Sequence, residues 1–134
     1  MNTLCHGNTE VLLHNNIIEA VFSGSFNVQG IESYIGKVKG FIASLDGAPF
    51  AMLIDDRAVE GGTPEAYDAL NAYNDWLNSQ ALVAKAFVFD SVITKSILIK
   101  RTPALEQQNI EFFEHIDEAR AWLHQQLKMA NEGS

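Results

Sequence analysis

Phe112-Phe113-Glu114-His115-Ile116-Asp117-Glu118-Ala119-Arg120-Ala121-Trp122-Leu123 carries the end of an apolar run straight into the first turns of a helix. Residues 109–113 predict a short last strand. Beyond them Ala119, Trp122, Leu123 and Leu127 recur at helical steps, so a terminal helix is expected from about 116 to 129. His115 stands in the cap position, with Glu118 three residues on as in a capping box. Residues 130–134 read as a frayed tail.

Working upstream, Thr102-Pro103 breaks the chain before that last strand. Val92–Arg101 is rich in Ile and Val and would suit a strand. A helix is expected there, because parallel neighbours need a crossover. Residues 82–89 form the strand before it, with Asp90-Ser91 as a cap. The preceding helix has Thr63 as N-cap, Pro64 at the first position and Glu65 near the positive end. Tyr67, Leu70, Tyr73, Trp76 and Leu77 give it an apolar face. Residues 49–54 are almost continuously apolar and fit a strand buried on both faces. Asp55-Asp56-Arg57 is expected to end it, and residues 58–62 to form a loop.

Ile31, Tyr34, Ile35, Val38, Phe41, Ile42 and Leu45 mark a further amphipathic helix, with Asn27 as its cap and Asp46-Gly47 as its stop. Gly36 and Gly40 sit one turn apart within it, and close packing against the sheet is the favoured reading. Residues 10–14 and Ile18, Ala20 and Phe22 alternate around Asn15-Asn16, a hairpin signature. Ser23-Gly24-Ser25 then breaks the pattern. The order is ββαβαβαβα: one α/β domain over residues 1–134, core about 9–128, with a mixed, mostly parallel sheet of about five strands and about four helices.

Composition narrows the class. A chain of 134 residues, 47% hydrophobic, can bury a real core. Apolar runs stay well short of the ~20 residues of a transmembrane helix. The first residues lack the basic and apolar regions of a secretory signal. A single cysteine fits a reducing compartment, so a cytoplasmic location is expected. The formal charge of −8 disfavours nucleic acid and anionic membrane partners.

Phe22-Ser23-Gly24, Met52-Leu53-Ile54-Asp55 and the stretch from Phe113 to Leu123 together resemble the STAS domain, in its SpoIIAA-like, STAS/SEC14-type branch. The first resembles the strand-ending F-x-G, the second the central strand with its Asp, the third the closing F-x-x-x-x-E-A-x-x-W-L. The resemblance implies a partner-binding or regulatory module rather than an enzyme. Its SEC14-type side implies an apolar ligand or lipid as the alternative. In the sporulation regulators a phosphorylatable Ser follows the central Asp. Here Asp56-Arg57 fills that slot, so the phospho-switch is not carried over, and Thr63 is a weak substitute.

Candidate chemistry is sparse. Asp55, Asp56 and Arg57 would sit at the carboxyl end of a central strand, where ligands gather in open α/β sheets. Two readings stand: a base or metal-binding pair, or an Asp55 bonded to nearby amides with Asp56 and Arg57 solvated. Gly62 and Thr63 precede a helix N-terminus but lack the phosphate-loop pattern. Tyr67, Tyr73 and Trp76 could line a pocket walled by the second helix, or be plain core. Cys5-His6 is a poor metal site, and neither H-x-x-x-H spacing nor a G-x-S-x-G elbow occurs. No cofactor, metal or catalytic residue is expected. The expected partner is a protein or an apolar small molecule, with surface left for a homodimer.

Overall fold

The computed structural model describes residues 5–132. A hairpin of β1 (Asn8–His14) and β2 (Ile17–Phe26) opens the fold. There follow α1 (Val28–Ser44), β3 (Phe50–Gly62), α2 (Pro64–Leu77), β4 (Leu82–Val88), α3 (Val92–Arg101), a 3-10 helix (Pro103–Gln107), β5 (Ile110–Phe113) and α4 (Ile116–Glu132). The five strands form one sheet in sequential order; β1 runs antiparallel to β2, and every other pair is parallel. Among the described residues no helix is long and apolar enough to cross a membrane.

Strand alternation divides the core. Phe50, Met52 and Ile54 of β3 and Phe87 of β4 pack with Tyr34 and Val38 of α1 and Tyr73 and Leu77 of α2. Ala51 and Leu53 point the other way, with Ala84, Ala86 and Val88, against Ala119 and Leu123 of α4. A central strand feeding two layers explains its nearly unbroken apolar run. The turns follow local chemistry. Asn15 and Asn16 both take left-handed backbone angles, φ 50° and 64°, as a two-residue hairpin turn requires. Asn27 caps α1 by accepting from Gly30 N at 3.0 Å, and Ser91 caps α3 by accepting from Thr94 N at 3.2 Å.

Four expectations need correction. Ser23-Gly24-Ser25 does not end β2, which runs on to the buried Phe26. Asp55-Asp56-Arg57 does not end β3 either, and residues 58–62 are strand, not loop. The two extensions pair with each other, Ser23 with Ala58 and Phe26 with Gly62. Each supplies the backbone partner that a reading of one segment at a time misses. Gly36 and Gly40 do not pack against the sheet; both are exposed, and a Cβ at either would meet nothing within 4 Å. The terminal helix continues through residues 130–132 instead of fraying; residues 133–134 lie outside the described residues. At its start, the His115 carbonyl accepts from Ala119 N at 3.2 Å. No side-chain capping box is seen there among the described residues.

These glycines generate opposite expectations. Gly36→Ala and Gly40→Ala should each stabilise the fold by roughly 0.8–1 kcal/mol, the helix-propensity difference. In Gly30→Ala the new methyl would overlap the His6 carbonyl and press on Phe26. That crowding should cost about 1–3 kcal/mol. Urea unfolding of the three variants checks both signs.

Candidate functional site

The site is built by an irregularity in the central pairing. Val21 stands opposite Asp55 and Ser23 opposite Ala58, so Asp56 and Arg57 together face the single residue Phe22. This is a β-bulge, a device that re-aims side chains at the ends of strands. On one side of it Asp55 is held by Arg57. Arg57 Nε donates to Asp55 Oδ1 at 2.9 Å and Nη2 to Oδ2 at 2.7 Å, while Arg57 N also donates to Oδ1 at 3.2 Å. The Arg57 hydrogen bonds hold the Asp55 carboxyl below its ordinary range, outweighing its partial burial. Arg57 itself is exposed, so the pair contributes little to stability.

Asp56 takes the opposite course and is buried. It lines a cavity of about 60 Å³ between the sheet and the helices α1, α2 and α3. Among the described residues no hydrogen bond or ion pair reaches its carboxyl group. Burial, reinforced by the negative charge of Asp55, pushes it up to about 7, against the pull of Lys85. Lys85 lines the same cavity from β4 and is 2% exposed. Desolvation lowers its ammonium to about 7, opposed by Asp56. Lys85 Nζ donates to Asn74 Oδ1 at 2.6 Å. Asn74 is fixed in turn, since its Nδ2 donates to Leu70 O at 3.0 Å and its Oδ1 accepts from Gln108 Nε2 at 3.2 Å. The ammonium also lies 5.9 Å from the Tyr73 ring and 5.8 Å from that of Phe87. The hydroxyls of Tyr34 and Tyr73 meet at 3.3 Å, and burial raises both well above the usual phenol range.

The structure thus separates the residues singled out in the sequence. Asp56, Gly62, Tyr67 and Tyr73 line the cavity. Asp55 and Arg57 do not; they form their own clamp at the bulge. Trp76 is not in the lining: its ring stacks on Tyr73 and carries the Lys39 ammonium 4.6 Å from its centre. Thr63 is spent as a cap, accepting from Ala66 N at 3.1 Å. The solvated reading fails for Asp56 and holds for Arg57. Asp55 bonds to Arg57, side chain and backbone alike.

Sequence reasoning missed Lys85, Asn74 and Tyr34. A signal for Lys85 was present: it is the one charge in an apolar strand, at the same parity as Phe87 and Phe89. A buried ammonium is costly unless compensated, so it demands partners.

Folded Asp56 keeps its proton up to about pH 7, whereas the unfolded chain releases it near 4. Its favourable contribution is therefore full below about pH 4 and is lost as pH rises to 7. Lys85 acts in mirror image: the folded state releases a proton near 7 that the unfolded chain keeps to about 10.4, so its penalty fades above 7. Asp55, Tyr34 and Tyr67 are the other groups coupled to this pair. Relative to Asp56→Asn, the wild type should lose melting temperature steadily from pH 4 to 7. A difference that stays flat across that window would contradict this assignment. Thr63→Ala should cost about 1 kcal/mol at any pH, as a lost cap.

No family model matches the chain, and no curated protein matches it in sequence. Solved structures do match it in three dimensions. An uncharacterised protein of the DUF3478 family with a SpoIIAA-like fold, from Shewanella loihica PV-4, superposes with a TM-score of 0.63 at 16% identity. That match covers 92% of this chain and 98% of the other. An anti-sigma factor antagonist from Mycobacterium paratuberculosis gives 0.64 at 18% identity, over 92% and 99% of the two chains. Identities this low establish the fold alone, and coverage this complete makes it a likeness of the whole domain. The chain has the SpoIIAA-like α/β fold shared with an anti-sigma factor antagonist, a STAS-like domain.

Proposed function

We propose that this chain is a non-enzymatic, cytoplasmic regulatory module that works by protein–protein contact and has no hydroxyl switch at the end of its central strand. The observation that carries the reading is the bulge. The residue after Asp55 is a carboxylate turned into the core, and the next hydroxyl, Thr63, caps α2. The shared fold of an anti-sigma factor antagonist supports a protein partner. The outer face of α3 offers a surface for one. Val92 and Ile93 are 80% and 74% exposed, with Ile97 and Ile99 half-exposed on the same side of the helix. A contiguous apolar ridge with Lys100 beside it marks an interaction surface on a chain otherwise acidic.

The reading is tested by isolating the tagged chain from its host under mild crosslinking. A protein that co-purifies in fixed ratio with the wild type and is lost from Ile93→Asp/Ile97→Asp is the expected result, with no phosphate on Thr63. Recovery of the chain alone in every growth state, or phosphate on Thr63, would overturn it.

The cavity favours a second reading, small-ligand binding. Its 60 Å³ is well below the ~150 Å³ of an apolar cavity that accepts benzene. A compact molecule therefore suits it, and a lipid tail does not. Native mass spectrometry of protein purified without denaturation distinguishes the two readings. An extra mass lost on denaturation supports the ligand, and a clean apo mass supports the contact module.

A further inference from the structure

We propose that Lys85 is a carbonyl-reactive amine, and that the cavity it shares with Asp56 captures a small uncharged aldehyde or ketone as an imine. Four features of the site support this. Lys85 is buried on the cavity wall instead of being solvated. Its nitrogen is aimed by the 2.6 Å hydrogen bond to Asn74, itself fixed by Leu70 O and Gln108. The carboxyl of Asp56 faces the same space with no hydrogen bond from the described residues. The remaining walls are largely aromatic, including Phe22, Tyr67, Phe87 and Phe89, which exclude bulk water and slow hydrolysis.

The electrostatics agree with the geometry. An ammonium lowered to about 7 leaves a large share of neutral amine at neutral pH. Desolvation in an apolar pocket is a known route to a nucleophilic lysine. A carboxyl raised to about 7 is matched to proton transfer at the same pH. The volume confines the reactant to a few heavy atoms. The Asp56 carboxylate and the charge of Asp55 disfavour anionic carbonyl compounds such as 2-oxo acids.

The step balances without an oxidant or reductant. Lys85 Nζ adds to the carbonyl carbon, and the C=O π pair moves to oxygen. The nitrogen then loses a proton and the oxygen gains one, giving a carbinolamine. Asp56 donates a proton to that hydroxyl, which leaves as water while the nitrogen lone pair closes C=N. The iminium proton returns to Asp56. The net change is amine plus carbonyl to imine plus water.

The test uses the intact protein, acetaldehyde and sodium cyanoborohydride at pH 7, with peptide mapping by mass spectrometry. Lys85 should become ethylated at least about tenfold faster than the exposed Lys100 and Lys128, because a far larger fraction of its amine is neutral. A Lys85 that stays unmodified, or reacts no faster than those two, would overturn the proposal. Asp56→Asn adds a second check. Loss of the carboxylate leaves more of the Lys85 amine neutral, so slower labelling at Lys85, with Lys100 unchanged, reports the lost proton donor. Labelling as fast as in the wild type would remove Asp56 from the step. The circular dichroism spectrum of the variant verifies that it is folded.

Discussion

The parallel pairing of β3 between β2 and β4 is the constraint on which everything else rests. It fixes which side chains of residues 50–54 meet α1 and α2 and which meet α4. It also runs out of neighbours unevenly. The register with β4 stops at Asp55 and Val88, whereas the register with β2 continues to Gly62. Beyond Asp55 the strand is therefore paired on one side only, and its residues alternate toward solvent. That asymmetry explains how a strand can be almost wholly apolar in its first half and polar in its second.

The bulge at Asp56-Arg57 turns this architecture into a site. Two adjacent carboxylates on a regular strand would point to opposite faces and share nothing but proximity. Here one is clamped by an exposed guanidinium and stays charged, and the other enters a low-dielectric cavity with a buried lysine. Environment alone drives the ionisation of two neighbouring aspartates in opposite directions. The pair of Asp56 and Lys85 is costly to bury, and it persists because Asn74, Gln108 and the surrounding rings hold the lysine in one place. Buried charge retained at such cost is a mark of function in a fold that could have been completed with leucine.

The SpoIIAA-like fold accommodates this without altering its outline. Its neighbours of known structure match nearly the whole chain, yet at 16% and 18% identity they leave the site free to differ. Function in such a fold lives in the few residues at the carboxyl end of the central strands. In this chain those residues provide neither a hydroxyl nor a metal-ligand set among the described residues. They provide an inward carboxyl, a buried amine and an apolar ridge on the helix above.

The sequence by itself determined the elements. The period of Ile31, Tyr34, Val38 and Phe41, the cap at Thr63 with Pro64, and the Asn15-Asn16 turn are local chemistry, legible one segment at a time. So was the sidedness of α4. Val92–Arg101 was legible only through topology, because its isoleucines favour a strand and the need for a crossover overrode them. What the sequence did not reveal depends on partners distant along the chain. Ser23-Gly24-Ser25 and residues 58–62 look like loops until they are seen to pair with each other. Gly36 and Gly40 look like packing sites until α1 is rotated to bury Tyr34 and Val38. Asp56 looks solvated until the register of β2 fixes where the bulge falls, and Lys85 gains its meaning only from Asn74 on a different element. Local propensity acts over one turn or one strand, whereas burial and electrostatics are properties of the assembled space. Tertiary structure alone therefore decided which charges face the core.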